Sequence, residues 1–170
     1  MASAWTAVPA GKTEMEHDTH QLLSEVGKFR IDYEVFINAP VEHTFRALVE
    51  EPHLYWTHTW SENPHSIILE PRIGGRFFEQ FDESGNGVLY GRVELIMPPY
   101  RLRYSGNVGM LKAVHFIFDL ELSAQDGGTL LREVTLGAGD VSQKMIANML
   151  AGSAEVYEGK LKALLEGGQA

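Results

Sequence analysis

Alternation and helical spacing of apolar residues divide most of the chain into a short menu of elements. Ile31, Tyr33, Val35 and Ile37 alternate with polar positions, which predicts a strand over Arg30 to Asn38. Pro40 suits the first turn of a helix, and Val41, Phe45, Leu48 and Val49 then recur at helical spacing. Pro52 ends that helix and can start a second, short one through Leu54, Tyr55 and Trp56. Strands are predicted at Ser66 to Glu70, Arg76 to Phe81, Val88 to Ile96, Arg101 to Ser105, Lys112 to Leu122 and Thr129 to Leu136. Gly85-Asn86-Gly87 and Asp126-Gly127-Gly128 read as hairpin turns, because Asn and Gly tolerate positive φ. Asp140 is the expected N-cap of a long final helix. Its apolar stripe is Val141, Met145, Met149, Val156, Tyr157, Leu161, Leu164 and Leu165, and Gly167-Gly168 ends it. Gly152 and Gly159 fall inside this helix, either for close packing or to leave room for a ligand.

The order is strand, two helices, six strands and a long helix. Antiparallel hairpins with helices gathered on one side predict an α+β domain, a curved sheet wrapped around the terminal helix with a cavity between them. We divide the chain into an N-terminal extension, residues 1–28, and one domain, residues 29–170. Within the extension, Glu14 to Val26 has the loose apolar spacing of a short helix.

Composition narrows the partners. The 170 residues carry 14 basic and 23 acidic side chains, a formal charge of −9, which disfavours nucleic acid and an anionic membrane surface. No run is long and apolar enough to span a membrane. Cysteine is absent, so disulfides and thiolate nucleophiles are excluded, and a metal would have to be held by His and carboxylate. A cytoplasmic location is the expectation consistent with this.

The most informative stretch is LEPRIGGRF at Leu69 to Phe77, where a Gly-Gly turn leads straight into a strand. With INAPVEHTFRALVEEPHLYW at Ile37 to Trp56, GRVELIMPPYRLRY at Gly91 to Tyr104, GGTLLREVTL at Gly127 to Leu136 and VYEGKLKALLEG at Val156 to Gly167, it resembles the START-like (SRPBCC, helix-grip) superfamily. The branch it resembles contains the homologues of the C-terminal domain of the heat-shock-protein ATPase activator. The resemblance implies a helix-grip fold. Its members include binders of lipids, hormones and polyketides as well as cyclases and hydrolases, so fold alone does not choose a function.

In the pattern so resembled, the residue two after the glycine pair faces inward. That aims Phe77, Glu79 and Phe81 into the cavity, with Leu102, Tyr104 and Gly106, Phe116, Phe118, Leu120 and Leu122, and Leu131, Glu133 and Thr135 from later strands. Glu79 and Glu133 stand where apolar residues are expected, and Gly106 stands for a large aromatic, which should enlarge the space. A buried carboxylate is costly unless a cation, metal, proton or water compensates it. His58 lies near the expected mouth; His115 alternates outward unless a bulge reverses it. His58, Glu79, Glu133 and His115 could hold zinc or another divalent ion.

The function expected first is binding of a small, largely apolar molecule, with Trp56, Trp60, Phe77, Phe81, Tyr104, Phe118, Met145 and Met149 as walls and the carboxylates meeting its polar part. The second is an enzyme, a small-molecule hydrolase, cyclase or isomerase, with Glu79 or Glu133 as acid or base and His58 assisting. A chaperone-interacting module is the third. Pairing of the edge strand near Ser66 with a second copy would give a homodimer.

Overall fold

The computed structural model describes residues 27–167, so the expected helix at 14–26 lies outside the described residues. The chain enters on β1 (Gly27–Ile37), then forms α1 (Val41–Glu50) and the one-turn α2 (Pro52–Tyr55). Six strands follow: β2 (Ser66–Leu69), β3 (Arg76–Gln80), β4 (Gly87–Met97), β5 (Arg101–Gly106), β6 (Val114–Gln125) and β7 (Gly128–Gly139). A last helical stretch comprises α3 (Gln143–Ser153), a π-helical segment (Ala154–Leu161) and α4 (Lys162–Gly167) without a break. All strands pair antiparallel in one seven-stranded sheet of order β1-β7-β6-β5-β4-β3-β2, the helix-grip α+β arrangement.

Alternation sets the two faces. Leu102 and Tyr104, Phe116, Phe118, Leu120 and Leu122, and Leu131 are buried on the inner face. The residues between them carry charge outward, where Arg101 bridges Asp119 at 2.8 Å and Arg132 bridges Asp32 at 2.7 Å. Irregularities in the register at Phe77/Phe78 and between Val93 and Leu95 bend the sheet around the helical side. The Gly-Gly turn works by backbone pairing: Gly74, at φ +72°, donates to Val93 O at 2.8 Å, and Val93 returns a bond to Gly75 O at 2.8 Å.

Several boundaries differ from the sequence expectation. β1 begins at Gly27, two residues inside the stretch assigned to the extension. β6 begins at Val114 rather than Lys112 and runs on to Gln125. Ser142, not Asp140, caps the final helix; its Oγ accepts from Met145 N–H at 3.2 Å, while Asp140 is taken by Lys112 at 3.3 Å. Gly106 does not enlarge the cavity. A Cβ there would sit 2.2 Å from Tyr90 O, so the missing side chain lets β4 approach β5 closely.

Burial in the last helical stretch is uneven. The π-helical segment buries Val156, Tyr157 and Leu161 and α4 buries Leu165, whereas in α3 the sole buried residue is Gly152. Met145 and Met149 of α3 are half-buried, and Leu150 is exposed. The first half of the stretch therefore spans an opening rather than filling a core.

Candidate functional site

Beneath α3 the inner face of the sheet leaves a cavity of about 820 Å³, within the size range of small-molecule pockets. Its walls are mostly apolar. Tyr104 and Phe118 stack at 4.8 Å between ring centroids on the sheet side, and Met145 and Met149 face them from α3. Trp56, just after α2, closes one end, with its ring edge-on to Phe77 at 4.8 Å and its Nε1–H donating to His58 O at 3.1 Å.

Glu133 forms the polar floor. It stands on β7 opposite Leu120 of β6 and Tyr33 of β1, and its side chain reaches the cavity with only 1% of the residue exposed. The hydroxyls of Thr135 and Ser153 both donate to its Oε1, Ser153 at 3.1 Å. Burial pushes the Glu133 carboxyl up from its ordinary value, and the hydrogen bonds of Thr135, Tyr157 and Ser153 only partly oppose this. Burial and the charge of Glu133 also hold the Tyr104 and Tyr157 hydroxyls protonated well beyond the usual phenol range.

Glu79 has a different environment. It is fully buried, yet it does not line the cavity. It accepts from Trp60 N–H at 2.7 Å, Ser61 N–H at 2.8 Å and Ser61 Oγ at 2.6 Å, and from the Tyr90 hydroxyl. Burial favours its neutral form, but these donors outweigh burial and bring its pKa below the ordinary carboxylate value. Glu79 thus pins the loop after α2 to the sheet. Trp60 then reaches from the pinned loop to Gly109, donating its Nε1–H to the carbonyl at 3.0 Å.

The residues named from sequence therefore separate. His58, Trp56, Tyr104, Phe118, Glu133, Met145 and Met149 share the cavity. Phe77 is buried behind Trp56, and Trp60 lies outside, about half exposed at 49%. Phe81 falls beyond the end of β3, half-buried and away from the cavity, because the strand stops at Gln80. His115 is exposed on the outer face between Val114 and Phe116, as plain alternation without a bulge dictates. Neither Arg103 nor Arg72 serves the buried carboxylates: Arg103 pairs with Glu94 at 3.4 Å on the outer face, and Arg72 pairs with Glu70 at 3.3 Å.

A four-ligand metal set of His58, Glu79, Glu133 and His115 is not assembled: Glu79 is consumed by backbone donors and His115 faces away. Among the described residues no three His, Cys, Asp or Glu side chains converge as a metal group.

His58 lies against the helix at Gly152, where an added Cβ would come within 2.8 Å of its Nε2. The glycine thus makes room for an imidazole rather than for a ligand. Ser153 and Tyr157 were not singled out as site residues by sequence. Their signal was available: Met145, Met149, Ser153 and Tyr157 recur every four residues, and a polar member in such a stripe marks where the cavity turns polar.

Comparison with known proteins bears on the fold. The model of one protein family, described as "Activator of Hsp90 ATPase homolog 1-like protein", matches residues 38–166. No curated protein matches the chain. Among solved structures, the chain is similar to a Rhizobium leguminosarum protein at 19% identity, covering 83% of this chain and 96% of that one, with a TM-score of 0.66. It is also similar to Ara h 8.0201, at 17% identity over 83% of this chain and 99% of that one, TM-score 0.62. The Aha1 dimer of Colwellia psychrerythraea matches at 18% identity over 84% of this chain and 99% of that one, TM-score 0.57. At these identities the likeness is one of fold.

Proposed function

The chain belongs to the Activator of Hsp90 ATPase homolog 1-like family, and within it we propose a protein that binds a small, largely apolar molecule between the sheet and α3, with Glu133 meeting the ligand's polar part. One observation carries this reading: among the described residues, the cavity of about 820 Å³ has mostly apolar walls and a single buried carboxylate on its floor. A core that wanted only stability would fill this space and would not keep a carboxylate there. Glu79 has no part in binding; it serves the loop.

Titration calorimetry with dodecanol tests the reading. The chain should bind it, and Met149→Trp, which fills the cavity, should abolish the heat while far-UV circular dichroism is unchanged. Equal heats from both proteins would remove the cavity as the binding site.

A second reading, an acid–base enzyme acting on a small molecule, is favoured by His58 and Glu133 lining the same cavity and by the raised pKa of Glu133. Turnover of a small ester or epoxide that disappears in Glu133→Gln while dodecanol still binds would support it. The chaperone-interacting reading rests on the family's description alone. A homodimer and a cytoplasmic location also belong to this proposal. The dimer would pair the outer strand β2 and its exposed Ile68 with a second copy, and sedimentation of the chain tests it.

A further inference from the structure

Charge is segregated along the cavity. The net charge of the chain is −9, yet among the described residues the acidic side chain in the lining is Glu133 alone, and it sits on the floor. Lys112 and Lys144 also line the cavity, and both are exposed. Lys144 has no ion pair among the described residues, and Lys112 shares an exposed contact at 3.3 Å with Asp140. Burial fixes which end is which. Leu111, at the lysine end, is 91% exposed, whereas Glu133 and its neighbours Tyr104 and Tyr157 are 1%, 3% and 4% exposed.

We infer that the ligand is bipolar: an apolar body with an anionic group held at the mouth by Lys112 and Lys144, and a hydroxyl at the far end that donates to Glu133. Long-chain hydroxy acids are the chemical class. This deepens the pocket reading and rests on it.

The orientation follows from the cost of burying ions. An acid group at the floor would bring a second carboxyl against Glu133, and two such groups cannot both ionise in the buried end. An ammonium there would have to pass the two lysines and give up its own hydration in the buried end. A hydroxyl adds one more donor to a carboxyl group already served by Thr135, Ser153 and Tyr157, and brings no second ion inside. The apolar body lies along Phe118, Met145 and Met149. The anionic end stays near water, where the lysines gain Coulomb attraction without full desolvation.

Titration at neutral pH and low ionic strength with 12-hydroxydodecanoic acid, dodecanoic acid, dodecanol and dodecylamine separates the possibilities, since salt would screen the exposed end. The hydroxy acid should bind about five-fold more tightly than dodecanoic acid, the effect of one net hydrogen bond. Glu133→Gln should shrink that preference. The double variant Lys112→Gln/Lys144→Gln should lower the ratio of dodecanoic acid to dodecanol affinity about five-fold, as expected of exposed ion pairs. Equal affinities for the hydroxy acid and dodecanoic acid would overturn the inference while leaving the pocket reading in place. So would preferences untouched by the variants, or tightest binding of dodecylamine. If none of the four probes binds, the pocket reading itself fails, and the inference with it.

Discussion

Glu79 and Glu133 have similar sequence contexts, each an acid in an inward strand position, yet their environments give them opposite electrostatics. Alternation reveals the face a residue takes; it does not reveal what covers it. Glu79 is met by Trp60 and Ser61, and Glu133 by Ser153, groups that lie 18 to 20 residues away along the chain. The inward direction of both carboxylates was therefore legible, and their separate fates were not. The two pKa shifts predict opposite pH dependences. The folded pKa of Glu79 is depressed, so its contribution to stability is present above the ordinary carboxylate pKa and is lost as pH falls through the folded value. The folded pKa of Glu133 is raised, so the folded chain binds the proton more readily and stability falls as pH rises through the window above the ordinary carboxylate pKa. Glu79→Gln places amide hydrogens against the Trp60 and Ser61 donors and should cost about 2–3 kcal/mol at neutral pH, the scale of charged hydrogen bonds. Glu133→Gln keeps an acceptor for Thr135 and Ser153 and removes a buried charge. It should be more stable than the parent at neutral pH by on the order of 1 kcal/mol. Urea unfolding across the acid range measures both: the Glu133→Gln advantage should vanish on acidification, and the Glu79→Gln deficit should shrink.

The final helical stretch shows how an element can be legible in type and hidden in detail. Met145, Met149, Ser153, Tyr157, Leu161 and Leu165 step by four residues throughout. In an α-helix four residues overshoot one turn by about 40°, so such a series walks off the face it starts on. A π-helical segment holds more residues per turn and brings the series back, and it lies at Ala154–Leu161, where Tyr157 and Leu161 return to the core. The period was in the sequence, but a reading that counts apolar positions passes over Ser153 and sees an ordinary stripe. The strand pattern, by contrast, departed from expectation mainly at strand ends such as Phe81 and at the register irregularities of β3 and β4, because elsewhere sheet burial follows a period of two that the sequence displays directly. One mechanical consequence follows. α3 has Gly152 as its sole buried residue, whereas the segment after it is anchored by Val156, Tyr157 and Leu161. Hydrogen exchange should therefore be faster across Gln143–Ser153 than across Ala154–Leu161, and dodecanol should slow the former selectively. Uniform exchange along the whole stretch would mean that α3 is not the mobile cover of the cavity.

At the scale of the whole molecule, the sheet, its charged outer face and the anchored end of the helix form a frame that stands without the cavity being filled. Salt bridges such as Arg101–Asp119 are on the far side of the sheet, and the buried residues of α1 pack beside the cavity rather than in it. Occupancy should then act on the stability of the whole fold by simple linkage, because a ligand seated between β7 and α3 binds the folded chain and not the unfolded one. At a free concentration about 100-fold above its dissociation constant, a ligand adds about 2.7 kcal/mol. For a chain of this size each kcal/mol raises Tm by about 2–4 °C, so the shift should be about 5–10 °C. Met149→Trp supplies side-chain atoms to the same space. Its Tm without ligand should lie above that of the parent, and dodecanol should no longer move it. A parent chain whose Tm ignores dodecanol at that concentration, or a variant that still responds in full, would show that the space beneath α3 is not where the fold and the ligand meet.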